Sequence, residues 1–145
     1  MMKFDRLLPL AFLAAFYPGT AALAQDAGTP GVLSIEMNDL AQSEKGCKLT
    51  FVAGNSLPQS LTKASFEFVL FDQKGLVERM AVFDFRDLPA GKTKVRQFTL
   101  AGTQCDAVKS LLINDAPACE GEGVAKDACM KALKTGSKSD VELKG

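Results

Sequence analysis

The residues of this 145-residue chain best equipped for covalent chemistry are four cysteines, Cys47, Cys105, Cys119 and Cys129. Their spacing holds no Cys-x-x-Cys pair for thiol exchange and no short paired spacing for zinc, so in an exported chain the even set reads as two disulfides. Histidine is absent. That removes Ser-His-Asp and Cys-His nucleophiles, an imidazole general base, and His-ligated zinc, copper or haem. Chemistry by acids alone remains, and its best candidates are Asp84 and Asp87, close to Arg86. A hydrolase or a metal site uses two such carboxylates. The competing reading is a strand end entering a turn, with Asp87 facing water and paired to Arg86. Glu120, Glu122 and Asp127 surround the segment between the last two cysteines but fit none of the regular calcium-loop spacings. Acids ahead of a helix compensate its dipole. Gly121-Glu122-Gly123 is followed by no Lys-Ser/Thr and by no longer glycine fingerprint, so it is not a phosphate loop. Lys92, Lys94 and Arg96 alternate along one stretch. They suit an anionic partner, or a solvated row that protects an edge strand from pairing. No residue is assigned a catalytic, cofactor-binding or metal-ligating role, and no cofactor is expected.

The cysteine reading depends on compartment, which the N-terminus addresses. A short positive region with Lys3 and Arg6 precedes an apolar run from Leu7 to Tyr17, then Pro18-Gly19, and the segment closes on Ala22-Leu23-Ala24. This is the three-part pattern of a signal peptide over residues 1–24, cut between Ala24 and Gln25. An apolar run of 11 residues is short of the roughly 20 that span a bilayer. One arginine before the run gives no twin-arginine signal, so the general secretory route and a periplasmic destination are expected. The first cysteine is Cys47, so lipid has no acceptor at the new N-terminus, and no membrane anchor remains after cleavage.

Lys+Arg and Asp+Glu both number 17, and this balance gives no field that draws a chain onto nucleic acid or an anionic membrane. Cleavage leaves 121 residues with seven Phe, no Tyr and no Trp. That length suits one domain over residues 31–145, after a linker over 25–30. The missing Tyr and Trp argue against a sugar-binding face. They also predict that the mature chain barely absorbs at 280 nm apart from its disulfides, whereas a chain retaining Tyr17 absorbs measurably.

The elements that must position these residues follow from period-two patterns. Leu33, Ile35 and Met37 alternate with polar residues, as do Cys47, Leu49, Phe51 and Ala53, which marks half-buried strands. Over Ala64–Asp72, Phe66, Phe68 and Leu70 share one face while Val69 and Phe71 share the other, the pattern of a central strand. Asp72-Gln73-Lys74-Gly75 is a tight turn, and Leu76–Phe85 returns with Val77, Ala81, Phe83 and Phe85 in phase. Leu88-Pro89-Ala90-Gly91 turns into Lys92–Leu100, whose charged end is expected at the rim. Lys109–Asp115 is a sixth strand. Val124–Lys134 reads as one short helix ended by Gly136, and Ser139–Leu143 as a last strand. Together these predict an antiparallel β-sandwich of about seven strands with one short C-terminal helix.

Strand parity then selects the bridges. If successive strands run up and down, Cys47 and Cys105 fall at one end, and the sixth strand carries Cys119 roughly 25 Å away at about 3.3 Å per residue. A disulfide needs Cα atoms within about 7 Å. Cys47–Cys105 with Cys119–Cys129 is the connectivity that survives.

Phe68-Val69-Leu70-Phe71-Asp72 resembles the FxLYD motif of small immunoglobulin-like domains in exported bacterial proteins, with Phe71 where that family has Tyr. Leu49–Asn55, Gly75 and Leu88-Pro89-Ala90-Gly91 resemble its preceding strand, post-motif glycine and Leu-x-Pro-Gly turn, so the likeness covers roughly Cys47 to Leu100. The whole chain is also similar to short exported proteins of Gram-negative bacteria known mainly by their signal sequence. The resemblance implies an immunoglobulin-like fold and an exported compartment, and no reaction. The expected function is a non-catalytic protein-interaction or accessory module that binds another exported protein through a sheet edge or loop end. The alternative is an acid-dependent hydrolase or metal-binding protein using Asp84 and Asp87.

Overall fold

A computed structural model describes residues 30–145. The expected signal peptide, its cut site at Ala24 and Gln25, and the linker up to Thr29 lie outside the described residues. The described chain is a β-sandwich of two four-stranded sheets. In chain order the strands are β1 (Leu33–Ser43), β2 (Gly46–Asn55), β3 (Leu61–Phe71), β4 (Val77–Leu88), β5 (Lys92–Ala101), β6 (Ser110–Glu120), β7 (Leu133–Ser137) and β8 (Glu142–Lys144). A 3-10 turn at Cys105–Ala107 precedes β6, and the one α-helix among the described residues, α1, is a single turn at Ala128–Lys131. The first sheet has the order β5-β2-β1-β7 and the second β4-β3-β6-β8.

The alternation seen in the sequence becomes the division between core and surface. On β2, Cys47, Leu49, Phe51 and Ala53 are buried, while Lys48, Thr50 and Val52 are turned outward. On β3, Phe66, Phe68 and Leu70 face inward. Six of the seven phenylalanines after residue 24 form one aromatic cluster between the sheets: Phe51 and Phe98 from the first, Phe66, Phe68, Phe83 and Phe85 from the second. Phe71 is the exception, and its ring lies on the outer face.

Local chemistry sets the turns. After β3 the Asp72 carboxylate accepts the backbone N–H groups of Lys74 and Leu76 at 2.9 and 3.0 Å, and Gly75 takes φ +78°, a conformation that costs glycine nothing. At the start of β2, Gly46 has φ +144°, and a Cβ there would run into the Leu100 carbonyl oxygen of β5, so the close approach of the two strands requires glycine.

Three expectations about the C-terminal third are corrected. The helix over Val124–Lys134 shrinks to Ala128–Lys131, and Leu133–Ser137 forms β7 instead. Thr135, Gly136 and Ser137 are weak helix formers, and the open side of β1 gives them a backbone partner from Leu33↔Leu133 to Met37↔Ser137. The last strand is Glu142–Lys144 rather than Ser139–Leu143, with Val141 and Leu143 both buried. Eight strands therefore replace about seven. The sheets are not wholly antiparallel, since β1 with β7 and β6 with β8 pair in parallel. A parallel pair needs a crossover connection, and the segments after β6 and β7 provide one each.

Both disulfides have the connectivity that strand parity selects. Cys47–Cys105 joins the start of β2 to the 3-10 turn, and Cys119–Cys129 ties the end of β6 to α1.

Candidate interaction surface

The two acids singled out in the sequence are held by different partners. Asp84 sits opposite Ser65 on the outward side of β4, and its carboxylate accepts the Arg86 backbone N–H at 2.8 Å. Arg86 has φ +59°, at an irregularity where β4 carries an extra residue against Ala64 and Ser65. Asp87 is 56 % exposed and its carboxylate lies 3.3 Å from Arg96. Its partner is thus Arg96 and not Arg86, because the bulge turns Arg86 outward. Among the described residues no group of three or more His, Cys, Asp or Glu side chains is arranged to hold a metal ion.

Arg96 corrects a second expectation. Lys92 is exposed and Lys94 half-buried, as befits an edge strand, but Arg96 is buried between the sheets. Its Nε donates to the Phe85 carbonyl at 2.6 Å and its Nη2 to the Asp87 carbonyl at 2.9 Å. Those carbonyls belong to β4, an edge strand of the other sheet, so the guanidinium closes the seam between β5 and β4. Near the other end of β4, Arg79 donates to the Ala101 carbonyl at 2.8 Å. An edge strand whose carbonyls are occupied, or which turns a cation inward, is poorly available to another chain. Arg96→Ala is expected to cost about 2 kcal/mol, since two β4 carbonyls lose a charged donor. Asp87→Ala, at an exposed ion pair, is expected to cost under about 1 kcal/mol. Denaturant midpoints of the two variants check the difference.

The acids near the Cys119–Cys129 bridge border a depression of about 620 Å³ lined by Asp115, Pro117, Glu120, Lys126, Asp127 and Met130. Asp127 is paired with Lys131 at 2.7 Å. The hydrogen bond from the Lys131 ammonium, and its charge, hold the Asp127 carboxyl below its usual value and raise Lys131 above its own. The small stabilisation from this exposed pair is present above the usual carboxylate range and is lost as pH falls through the depressed Asp127 value. On the alkaline side it is lost as pH rises through the raised Lys131 value. β6 is open toward this depression beyond Leu112, where β8 ends. Pro117 and two register irregularities blunt that edge, since proline brings no N–H and bulges break the ladder.

With β4 and the far half of β6 ill suited to strand pairing, the second sheet offers its outer face. On the outer side of the second sheet Val77 lies opposite Phe71, Met80 opposite Val69, and Val69 opposite Leu112. Val77, Met80 and Val82 are 59 %, 52 % and 56 % exposed, and no layer covers them among the described residues. This contiguous apolar stripe is the candidate interaction surface. Glu67, held by Asn114 at 2.8 Å, and Asp84 border one end of the stripe. At the other end Phe71 and Leu112 share a shallow depression with Lys109 and Lys144. The outer face of the first sheet is polar by comparison: Thr93, Gln97 and Thr99 of β5 and Lys48 and Thr50 of β2 lie on it, with Val52 and Val95 its apolar members. The sequence carried a sign of the stripe in Val69 and Phe71, which made both faces of β3 apolar. A central position in the sheet explains only one of those faces.

Comparison with family models, with curated proteins and with solved structures finds no match.

Proposed function

We infer that the protein is a non-catalytic interaction module of the periplasm, and that it works through the outer face of its second sheet. The observation that carries this reading is the exposed stripe of Val77, Met80 and Val82 over Val69 and Phe71, beside an edge strand, β4, whose carbonyls are occupied. Two disulfides support an oxidising compartment, and the signal-like N-terminus supports export. The resemblance to FxLYD-type immunoglobulin-like domains agrees with a two-sheet scaffold whose role is contact and not chemistry. The expected mode shifts from a sheet edge to a sheet face, because Arg96 occupies the β4 carbonyls.

Cross-linking in intact cells tests the reading. The wild-type chain is expected in the periplasmic fraction, starting at Gln25, and to give a defined adduct that Met80→Glu abolishes. An adduct indifferent to Met80→Glu, or none over repeated trials, sinks it.

A further inference from the structure

Building on that reading of the outer face, we propose that its partner is a second copy of this chain, packed sheet to sheet about a twofold axis. The argument is the order of charges along the stripe. Reading down the strands, Asp84 stands opposite Ser65, and next comes the row Val82 and Glu67. About 6.6 Å further, two residues along, Met80, Val69, Leu112 and Lys144 form an apolar row with one cation at its end. The next row is Val77, Phe71, Ser110 and Glu142, with Lys109 beside them. Lys144 pairs with Glu142 at 3.4 Å, so those two charges offset one another and, among the described residues, Lys109 carries the net charge of that depression. The face is therefore acidic at one end, apolar in the middle and net positive by one lysine at the other.

A twofold axis lying in the interface and crossing the strands at the Met80–Val69–Leu112 row places each acidic end over the partner's basic end. Glu67 of one copy then falls near Lys109 of the other, twice per dimer, while the exposed methyl and thioether groups interdigitate. An isologous interface requires such self-complementarity, and two sheets packing face to face about 10 Å apart is the sandwich's own mode of packing repeated once more. Head-to-tail stacking fits less well, because apart from Val52 and Val95 the outer face of the first sheet offers Thr, Gln and Lys side chains where the stripe needs apolar ones.

The test uses the chain expressed from Met1, exported and purified, with the photoreactive Val82→p-benzoylphenylalanine. Irradiation is expected to give an adduct of twice the chain mass, and sedimentation of the unsubstituted protein a monomer–dimer equilibrium with a Kd below about 100 μM. Glu67→Lys is expected to weaken the dimer about tenfold, equivalent to 1.4 kcal/mol. The exchange Glu67→Lys with Lys109→Glu is expected to restore most of that loss, which a fold merely damaged at position 67 does not do. An in-cell adduct of some other mass, with the purified chain monomeric, overturns the second-copy proposal and leaves the interaction reading standing. No adduct in either setting overturns both. Equal dimerisation by Glu67→Lys and wild type also overturns the proposal, because the charge order then plays no part.

Discussion

Phe51→Ala is expected to destabilise the protein by about 4 kcal/mol, the middle of the range for removing a buried phenylalanine. Phe51 is fully buried on the second strand of its sheet. Its ring lies 5.2 Å from Phe68, 5.6 Å from Phe85, 6.0 Å from Phe98 and 6.4 Å from Phe83. Four aromatic neighbours on three strands lose a partner at once, and rings fixed by one another cannot collapse into the space left behind. A domain of this size is stable by about 5 to 15 kcal/mol, so the variant sits close to unfolding. Phe71→Ala, which removes the outward-facing ring, is expected to cost about 1 kcal/mol or less. Urea titrations followed by far-ultraviolet dichroism compare the two. Equal losses would show that the aromatic cluster is not what holds the sheets together.

Removing the Cys47–Cys105 bridge as a double Ala variant is expected to cost about 4 kcal/mol, against about 3 kcal/mol for Cys119–Cys129, by the loop-closure relation. The first bridge joins residues 58 apart and the second residues 10 apart, and the unfolded chain gains more freedom when the larger loop opens. Burial does not separate the two, because Cys47 and Cys129 are both fully buried and either replacement leaves a space in the core. Cys119–Cys129 fastens one helical turn to the end of β6, and its loss frees mainly the segment before β7. Thermal unfolding of the two double variants measures the order. A larger loss from Cys119–Cys129 would mean that α1 and β7 bear more of the fold than loop size implies.

The β2 and β3 strands were legible because one face of each is buried, so hydrophobic residues recur at every second position from Cys47 to Ala53 and from Phe66 to Leu70. The disulfide pairing was legible for a related reason: strand parity follows from counting turns. The C-terminal third was not. Leu133–Ser137 becomes a strand because β1, a hundred residues earlier, has an unpaired side, and no local pattern encodes a parallel partner at that distance. Arg96 was misplaced for a comparable reason. Its period groups it with Lys92 and Lys94, but its position depends on the Phe85 and Asp87 carbonyls of another strand. The candidate surface was half legible. Val69 and Phe71 announced a second apolar face, whereas Met80 and Val82 gained meaning only once β4 was seen to lie at the sheet's edge.

The parallel pairing of β1 with β7 also sets a clock. Leu33 meets Leu133, so at synthesis rates of about 5–20 residues per second the first strand waits about 5 to 20 s for its second neighbour. Through that interval Ile35 and Met37 have no completed core to enter, and one side of β1 carries unsatisfied backbone groups. β6 waits a shorter time, about 2 to 6 s at the same rates, for β8. Chains that stop before Leu133 keep both openings permanently, and they should be recovered as aggregates even though six of the eight strands already have their antiparallel partners.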